Sequence, residues 1–300
     1  MRYARSWIIA IPLAALLLSG CRLPGHEGPA PKSVVECRRL SQQGVAALDR
    51  GRQQDAETLL AKAVAACPTD AEAHRHYGEA LWRRGASNEA IAQLEESGRL
   101  ASDDPLLWSR LAEMYLATGQ SELAWKNAER AIELDPRLPS AWAIRGSVLR
   151  ASNQLGEAMT CYLRALGYAP KDRAILTEIA GLYHQQNQPE RELQTLQCLA
   201  DTFSPGEEPA YVEQLLGQAY VGLGRYDDAV DSLSLAAKHG KPTAEILCQL
   251  GEAQLLAGNP ADAAATAQHA LAMQPRNPNA LALSERIRIA RQPQPGTMTR

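Results

Sequence analysis

Two pairs of residues in this 300-residue chain have the types and spacing that ligand sites use. His74 and His76 could each offer a ring nitrogen to a metal ion, but residues two apart point to different faces of a helix. Gly222 and Gly224 form a G-x-G segment of the kind that approaches a phosphate, yet a turn between two helices also requires a glycine. We therefore interpret the first pair as packing or surface histidines and the second as a turn.

Neighbouring acidic residues are the remaining candidates for acid and base chemistry. Glu95-Glu96 and Asp227-Asp228 fall on or just before predicted helices, where adjacent carboxylates are typical of a face in contact with water. The sequence contains no P-loop, no HExxH and no G-x-S-x-G motif. We therefore predict a protein that is not an enzyme and that uses neither a metal ion nor a cofactor.

The elements that carry these side chains follow a repeat, with four successive spacings of 34 residues, one of 37 and a further one of 34. Seven copies begin at Cys37, Ala71, Pro105, Pro139, Arg173, Ala210 and Ala244. The eighth residue of each copy is small: Gly44, Gly78, Ala112, Gly146, Ala180, Gly217 and Gly251. The chain shows no alternating strand pattern and has only one phenylalanine, so the sequence predicts an all-α protein built as an extended array.

The copy from Pro105 to Leu138 shows what the unit is. Its characteristic residues are Trp108, Leu111, Ala112, Tyr115, Gly119, Ala124, Ala131 and Pro136. This pattern resembles the tetratricopeptide repeat, in which two antiparallel helices, A and B, cross closely at small residues. The resemblance implies a right-handed α-solenoid of seven helix hairpins over residues 37–277, because a single hairpin cannot bury its own apolar face.

Two parts of the array depart from the simple repeat. In unit five, strict counting places Glu192 in the tight helix crossing, so we predict one extra residue in the turn Asn187-Gln188-Pro189, which would bring Leu193 there instead. After unit seven, residues 278–291 are predicted to form a capping helix and residues 292–300 a disordered tail. The apolar residues assigned to the cap are Leu281, Leu283, Ile287 and Ile289.

The first 21 residues resemble a bacterial lipoprotein signal peptide. Met1 to Ser6 carries two arginines, Trp7 to Leu18 is an apolar run too short to span a bilayer, and Leu18-Ser19-Gly20-Cys21 matches the lipobox. The resemblance implies cleavage before Cys21, lipidation of its thiol and, because the next residue is not Asp, a place in the outer membrane facing the periplasm. Residues 22–36 are rich in Pro and Gly and are predicted to form a tether.

Relatives of this repeat line their inner, concave surface with positions 2, 5, 9 and 12 of helix A. In units two to four, the candidate partner-binding residues at these positions are Arg75, Glu79, Trp82, Ser109, Glu113, Ser147 and Arg150. Trp82 is the predicted centre because position 12 does not call for a core aromatic; the alternative is that its ring covers the neighbouring helix of unit three. The Lys and Asn residues with which relatives clamp a chaperone's C-terminal carboxylate are missing, which disfavours that ligand.

Cys37 and Cys67 occupy positions 1 and 31 of unit one, which antiparallel helices bring to the same end of the hairpin. A disulfide between them is one interpretation, since the periplasm is oxidising. Two small apolar packing residues are the other. The sequence leaves both open.

These features predict a membrane-anchored, non-enzymatic adaptor that binds a peptide or helix of another envelope protein in its concave groove and supports assembly of an envelope complex. The alternative is a structural scaffold for cell-wall enzymes that mainly contacts copies of itself, which would make the protein a homodimer. The net charge of −3 disfavours nucleic acid as the main partner.

Overall fold

The structure is a computed structural model that describes residues 32–239 and 241–292. Units one to four comprise α1 (Lys32–Asp49), α2 (Gln53–Ala66), α3 (Ala71–Arg84), α4 (Ser87–Leu100), α5 (Pro105–Ala117), α6 (Ser121–Leu134), α7 (Pro139–Ala151) and α8 (Leu155–Tyr168). Units five to seven and the cap comprise α9 (Arg173–Gln185), α10 (Pro189–Ala200), α11 (Ala210–Gly222), α12 (Tyr226–Lys238), α13 (Ala244–Leu256), α14 (Pro260–Met273) and α15 (Pro278–Ala290). Odd-numbered helices up to α13 are A helices, and even-numbered helices are B helices.

The all-α prediction is confirmed, since the described residues contain helices, turns and bends but no strand. None of the described helices is long and apolar enough to cross a membrane. The predicted signal peptide, Cys21 and most of the predicted tether and tail lie outside the described residues.

The turn between helices A and B is made in the same way in every unit. Residue 15 of each unit has a positive φ: Gly51, Gly85, Gly119, Asn153, Asn187, Gly224 and Gly258. Glycine reaches this conformation without steric cost, and asparagine tolerates it better than most residues, which explains φ values of 60° at Asn153 and 54° at Asn187. The turn therefore has one length throughout the array.

This uniform turn corrects the prediction for unit five. Asn187 donates its backbone N–H to the carbonyl of His184 at 3.0 Å, as Asn153 does to Arg150 at 2.9 Å one unit earlier, so the turn holds no extra residue. Glu192 consequently occupies the tight crossing, where it is 3% exposed. The three additional residues of this unit lie after α10, where a bend and turns connect it to α11.

The predicted tether is also shorter than residues 22–36. Helix α1 begins at Lys32, five residues before the predicted start at Cys37. No proline or glycine occurs between Lys32 and Gly44, so nothing in the sequence interrupts a helix over the five residues before Cys37.

Close helix crossings hold each hairpin together. Ala90, Ala124 and Ala158 are fully buried at position 20, opposite small residues of the facing A helix. Consecutive hairpins then pack through α2 on α3, α6 on α7 and their counterparts, so the core continues from unit to unit. The cap α15 buries Leu283 and Ile287, whereas Leu281 and Ile289 are exposed, because only residues about four apart share one helix face.

Candidate protein-binding groove

The inner face of the array is formed by A helices that lie side by side. Ser109 Oγ of α5 is 2.8 Å from Ser140 Oγ of α7, and Gln214 Nε2 of α11 donates to Gln249 Oε1 of α13 at 3.0 Å. These bonds join positions 2, 5 and 6 of successive A helices. Side chains of adjacent A helices therefore contact one another directly between units three and four and between units six and seven.

In units two and three the groove is crossed by ion pairs. Arg110 places Nε 2.7 Å and Nη2 2.9 Å from the two carboxylate oxygens of Glu79, and Nη1 2.6 Å from Glu113 Oε2. Arg75 Nη1 lies 3.4 Å from Asp104 Oδ2. The hydrogen bond with Glu79 raises the pKa of Arg110, against the opposing effect of burial. Three predicted partner-binding residues, Arg75, Glu79 and Glu113, are therefore already paired, and the Glu79 pair bridges units two and three.

Trp82 is partly packed between units and partly exposed. Its ring packs against the apolar cluster around Leu81, Leu111 and Tyr115, yet the residue is only half-buried. The guanidinium of Arg110 lies 5.8 Å from the ring centroid, on the side of the ion pairs. Part of the ring stabilises the joint between units two and three, and part is open beside the charged section of the groove.

The remaining predicted residues differ in how open they are. Ser109 is 4% exposed and bonded to a serine of the next unit, so it does not face a partner. Ser147 donates to its own helix at 3.1 Å and lies 2.8 Å from the Tyr162 hydroxyl. Arg150 Nη1 is 3.0 Å from Glu178 Oε2, which forms a second bridge between units.

The histidines do not form a shared site. His74 is buried, with Nδ1 2.8 Å from Gln93 Oε1 and Nε2 3.1 Å from the carbonyl of Pro68. His76 is more open, and its Nε2 lies 3.4 Å from Glu72 Oε1. Both ring nitrogens of the first histidine are therefore engaged within the fold.

A separate cleft of about 700 Å³ lies between the B helices α4 and α6. Trp108, Tyr115 and Trp125 line it, but Trp108 also donates to the Ser102 carbonyl at 2.9 Å and covers Gly98. These aromatic residues belong to the joint between units two and three. The cleft lacks any feature that identifies an occupant, so the groove remains the candidate site.

Family models for the tetratricopeptide repeat match residues 41–105, 106–138, 139–172 and 215–278, which together exceed half of the chain. The chain belongs to the tetratricopeptide repeat family. Membership places this TPR protein among protein-interaction scaffolds and adaptors, whose fold is typically non-catalytic.

Curated relatives match parts of the TPR array. Hsp70-Hsp90 organizing protein 3 of Arabidopsis thaliana is 27% identical over 124 residues, 41% of this chain and 22% of the relative. DnaJ homolog subfamily C member 3 of Mus musculus is 24% identical over 238 residues, 74% of this chain and 46% of the relative. The chain thus spans less than half the length of these curated relatives.

Solved structures share the TPR fold at low identity. A TPR protein from Parabacteroides merdae has a TM-score of 0.60 at 16% identity, covering 85% of this chain and 99% of that one. YrrB, described as a TPR protein with an unusual peptide-binding site, has a TM-score of 0.56 at 17% identity, covering 64% and 97%. PilF of Pseudomonas aeruginosa has a TM-score of 0.53 at 16% identity, covering 85% and 100%.

The sequence missed Arg110 and Glu178, the partners of the predicted groove residues. Both occupy position 6 of helix A, which the groove positions do not include. The available signal was a pair of opposite charges slightly less than one TPR unit apart: Arg110 follows Glu79 by 31 residues, and Glu178 follows Arg150 by 28.

Cys37 and Cys67 lie together at the end of unit one as free thiols. Burial, with smaller contributions from the neighbouring Asp70 and Cys67, raises the pKa of Cys37 to about 11. Its Sγ donates to Asp70 Oδ2 at 3.8 Å. At neutral pH Cys37 is therefore a protonated packing thiol, and a bridge to Cys67 stays a prediction.

Proposed function

We propose that this chain is a non-enzymatic adaptor whose inner groove binds a segment of another cell-envelope protein and thereby supports assembly of an envelope complex. The observation that carries the proposal is Trp82, an aromatic ring that is partly open on the inner face beside oriented charged groups. Large rings in such positions are frequent binding anchors, and Arg110 and Glu79 could orient polar groups of the bound segment. The peptide-binding site described for YrrB supports the same use of this fold.

The charged groups limit what the groove can bind. Arg75 and Arg110, the arginines of the groove in units two and three, already face an acid, so an acidic peptide terminus would have to displace an existing ion pair. This arrangement disfavours a carboxylate clamp, although part of the chain is similar to Hsp70-Hsp90 organizing proteins. A partner segment must therefore gain its affinity mainly from shape, apolar contact and neutral hydrogen bonds.

The test of the groove is the double variant Trp82→Ala, Arg75→Ala. The partner would be identified by crosslinking in intact cells and purified, and its affinity measured by calorimetry. We expect affinity to fall by about 1 to 2 kcal/mol, because truncation removes the aromatic anchor. The melting temperature should also fall, since both side chains help join units two and three, so binding must be measured well below it.

The matched control is Tyr168→Ala, Arg130→Ala, which truncates an exposed aromatic and an exposed arginine on B helices. Affinity close to wild type is expected for this control. If the groove variant also binds normally while melting earlier, Trp82 and Arg75 serve packing only and the proposed site is wrong.

The membrane anchor belongs to the same proposal and rests on the lipobox around Cys21. Cys21→Ala should leave the N-terminal peptide without acyl chains and move the protein from the membrane to the soluble fraction, because several acyl chains are needed for stable anchoring. Mass spectrometry of the isolated protein measures this. The exposed Cys198 on α10 supplies the control, and Cys198→Ala should stay lipidated. Acyl chains on the Cys21→Ala protein would contradict the proposed anchor at Cys21. The proposed location of the protein, in the outer membrane and facing the periplasm, would then lose its basis.

A further inference from the structure

The groove changes character after unit three. Positions 2, 5 and 9 of helices α7, α9 and α11 carry no charge; they are Ser140, Ala143, Ser147, Ala174, Thr177, Gly181, Tyr211, Gln214 and Gln218. We call these nine residues the uncharged section. Charged residues flank it on both sides: the Glu79, Arg110 and Glu113 group in units two and three, and the Glu252 and Arg286 pair in unit seven and the cap.

The ionisable residues at position 12 of α7 and α9, Arg150 and His184, lie beside these nine residues and are already paired. Arg150 is bonded to Glu178 at 3.0 Å, and His184 lies 3.0 Å from Glu192. A partner's charged side chain placed here would lose hydration without meeting a free opposite charge, which costs free energy. The section therefore discriminates against charged segments and in favour of uncharged ones.

Gly181 is the feature of this section that packing does not explain. It is the ninth of the 13 residues of α9, and a glycine inside a helix costs about 1 kcal/mol relative to alanine. A Cβ built at this position would meet only Arg150 Nη1, at 3.7 Å. Since that distance is an ordinary contact with the end of a flexible side chain, the fold itself has room for a larger residue.

Other glycines in the described helices have a local reason. A Cβ would collide with a neighbouring side chain at Gly44, Gly78, Gly98, Gly217 and Gly251, and at Gly146 it would lie in tight contact with the Tyr162 ring, at 3.1 Å. Three more, Gly156, Gly167 and Gly222, lie in the first or last turn of a helix, where the helical cost is smaller. Gly181 differs because it is central in its helix and open on the groove side.

We propose that the uncharged section binds an extended, uncharged segment of a partner protein whose backbone crosses the array at Gly181. This inference rests on the proposed function and specifies the chemistry of the partner. A glycine allows another backbone to approach closely, as it does wherever chains must come together. The packing of α9 would accept a side chain at position 181, so its absence is explained by the ligand.

The section also supplies hydrogen-bonding groups for a peptide backbone. Tyr211 is 43% exposed, and neither its hydroxyl nor the Gln218 amide has a partner among the described residues. Gln214 uses one amide N–H toward Gln249, and Thr177 donates to its own helix at 2.7 Å, so both keep capacity. Only an extended segment has free backbone N–H and C=O groups to meet these, because a helix satisfies its own.

Gly181→Leu fills the crossing point, and Gly167→Leu is its control on the B helix α8, where a Cβ meets nothing within 4 Å. Neither change should harm folding, and the melting temperature should stay level or rise, as helix propensity requires. The probes are three pools of synthetic peptides of about ten residues, long enough to cross three units at ~3.3 Å per residue. One pool is uncharged, one carries alternate Glu and one alternate Lys.

We expect the tightest-binding peptide to come from the uncharged pool. Gly181→Leu should weaken the affinity for this peptide at least tenfold, and Gly181→Ala should weaken it less. Gly167→Leu should leave the affinity unchanged. Equal binding by Gly181→Leu, or preference for a charged pool, overturns the inference. So does a homodimer that Gly181→Leu dissociates, because the occupant would then be a second copy. If the double variant Trp82→Ala, Arg75→Ala weakens binding of the crosslinked partner and Gly181→Leu does not, only this inference fails. If neither variant weakens that binding, the proposed function fails too.

Discussion

Replacing Glu192 by alanine is expected to stabilise the protein by about 2 kcal/mol at neutral pH. Glu192 occupies the helix crossing of unit five, where six other units have an alanine. Its carboxylate oxygens lie 3.0 and 3.1 Å from His184 Nδ1, but His184 is largely exposed and cannot fully offset the cost of burying a charge. Exchanging a buried ion pair for well-packed apolar atoms is often stabilising by 1–4 kcal/mol.

The stabilisation should depend on pH with a defined sign. Burial raises the pKa of Glu192 above its ordinary value of 4.5, while His184 lowers it to a lesser extent. A carboxyl group with a raised folded-state pKa favours the folded state below pH 4.5, and that contribution is lost as pH rises through the folded-state pKa. The difference between Glu192→Ala and wild type should therefore be smallest below about pH 4.5 and largest at neutral pH.

Two comparisons isolate this effect. Glu192→Gln keeps the shape of the side chain without its charge. The stability of this variant should therefore also lack most of the pH dependence that Glu192 gives the wild type. Glu190→Ala, an exposed acid in the first turn of α10, should change stability by no more than about 0.5 to 1 kcal/mol. Glu213, whose pKa burial also raises, is unchanged in every variant and cancels in the differences. A Glu192→Ala protein that melts below wild type at pH 7 would show that the His184 contact outweighs burial.

Gly78→Val should have the opposite effect and destabilise the protein by about 3 kcal/mol. A Cβ at Gly78 would lie 2.1 Å from Leu94 Cδ1 and 3.0 Å from the carbonyl oxygen of Ala90. Leu94 is fully buried and cannot turn its methyl group away, and Ala90 contributes backbone. Relieving the contact requires α3 and α4 to separate, which is the usual penalty of overpacking a core.

Amide hydrogen exchange is the appropriate measurement for Gly78→Val, because a repeat array can open locally without unfolding as a whole. Protection should fall most in α3 and α4 and least in the cap α15. Gly167→Val is the control, since a Cβ there has no neighbour within 4 Å. If Gly78→Val and Gly167→Val change amide protection alike, steric contact at the helix crossing does not set the register of the repeat.

The register of the array was predictable because its causes are local and repeat in each unit. Small residues at positions 8 and 20 allow two helices to cross, and a positive φ at position 15 turns the chain between them. Both requirements restrict residue type, so they appear in the sequence itself. The A helices of units two to seven accordingly begin at Ala71, Pro105, Pro139, Arg173, Ala210 and Ala244, the first residues assigned to those units.

Unit five shows where such reasoning fails. A buried glutamate in a tight crossing is unfavourable by type, so the sequence favoured moving Leu193 there. The structure keeps Glu192 in place because Asn187 makes the standard turn and His184 bonds the carboxylate. A polar contact between two helices outweighed a residue-type preference, and residue type alone does not reveal that contact.

By itself, the sequence determined the fold class and the repeat, since these depend on sterics within one unit. Only the tertiary structure decided which groove residues are free. Glu79 and Arg110 pair across units two and three, whereas Ser109 and Ser140 bond across units three and four. These pairings depend on how whole hairpins stack, so the open space beside Gly181 became apparent only once the units were assembled.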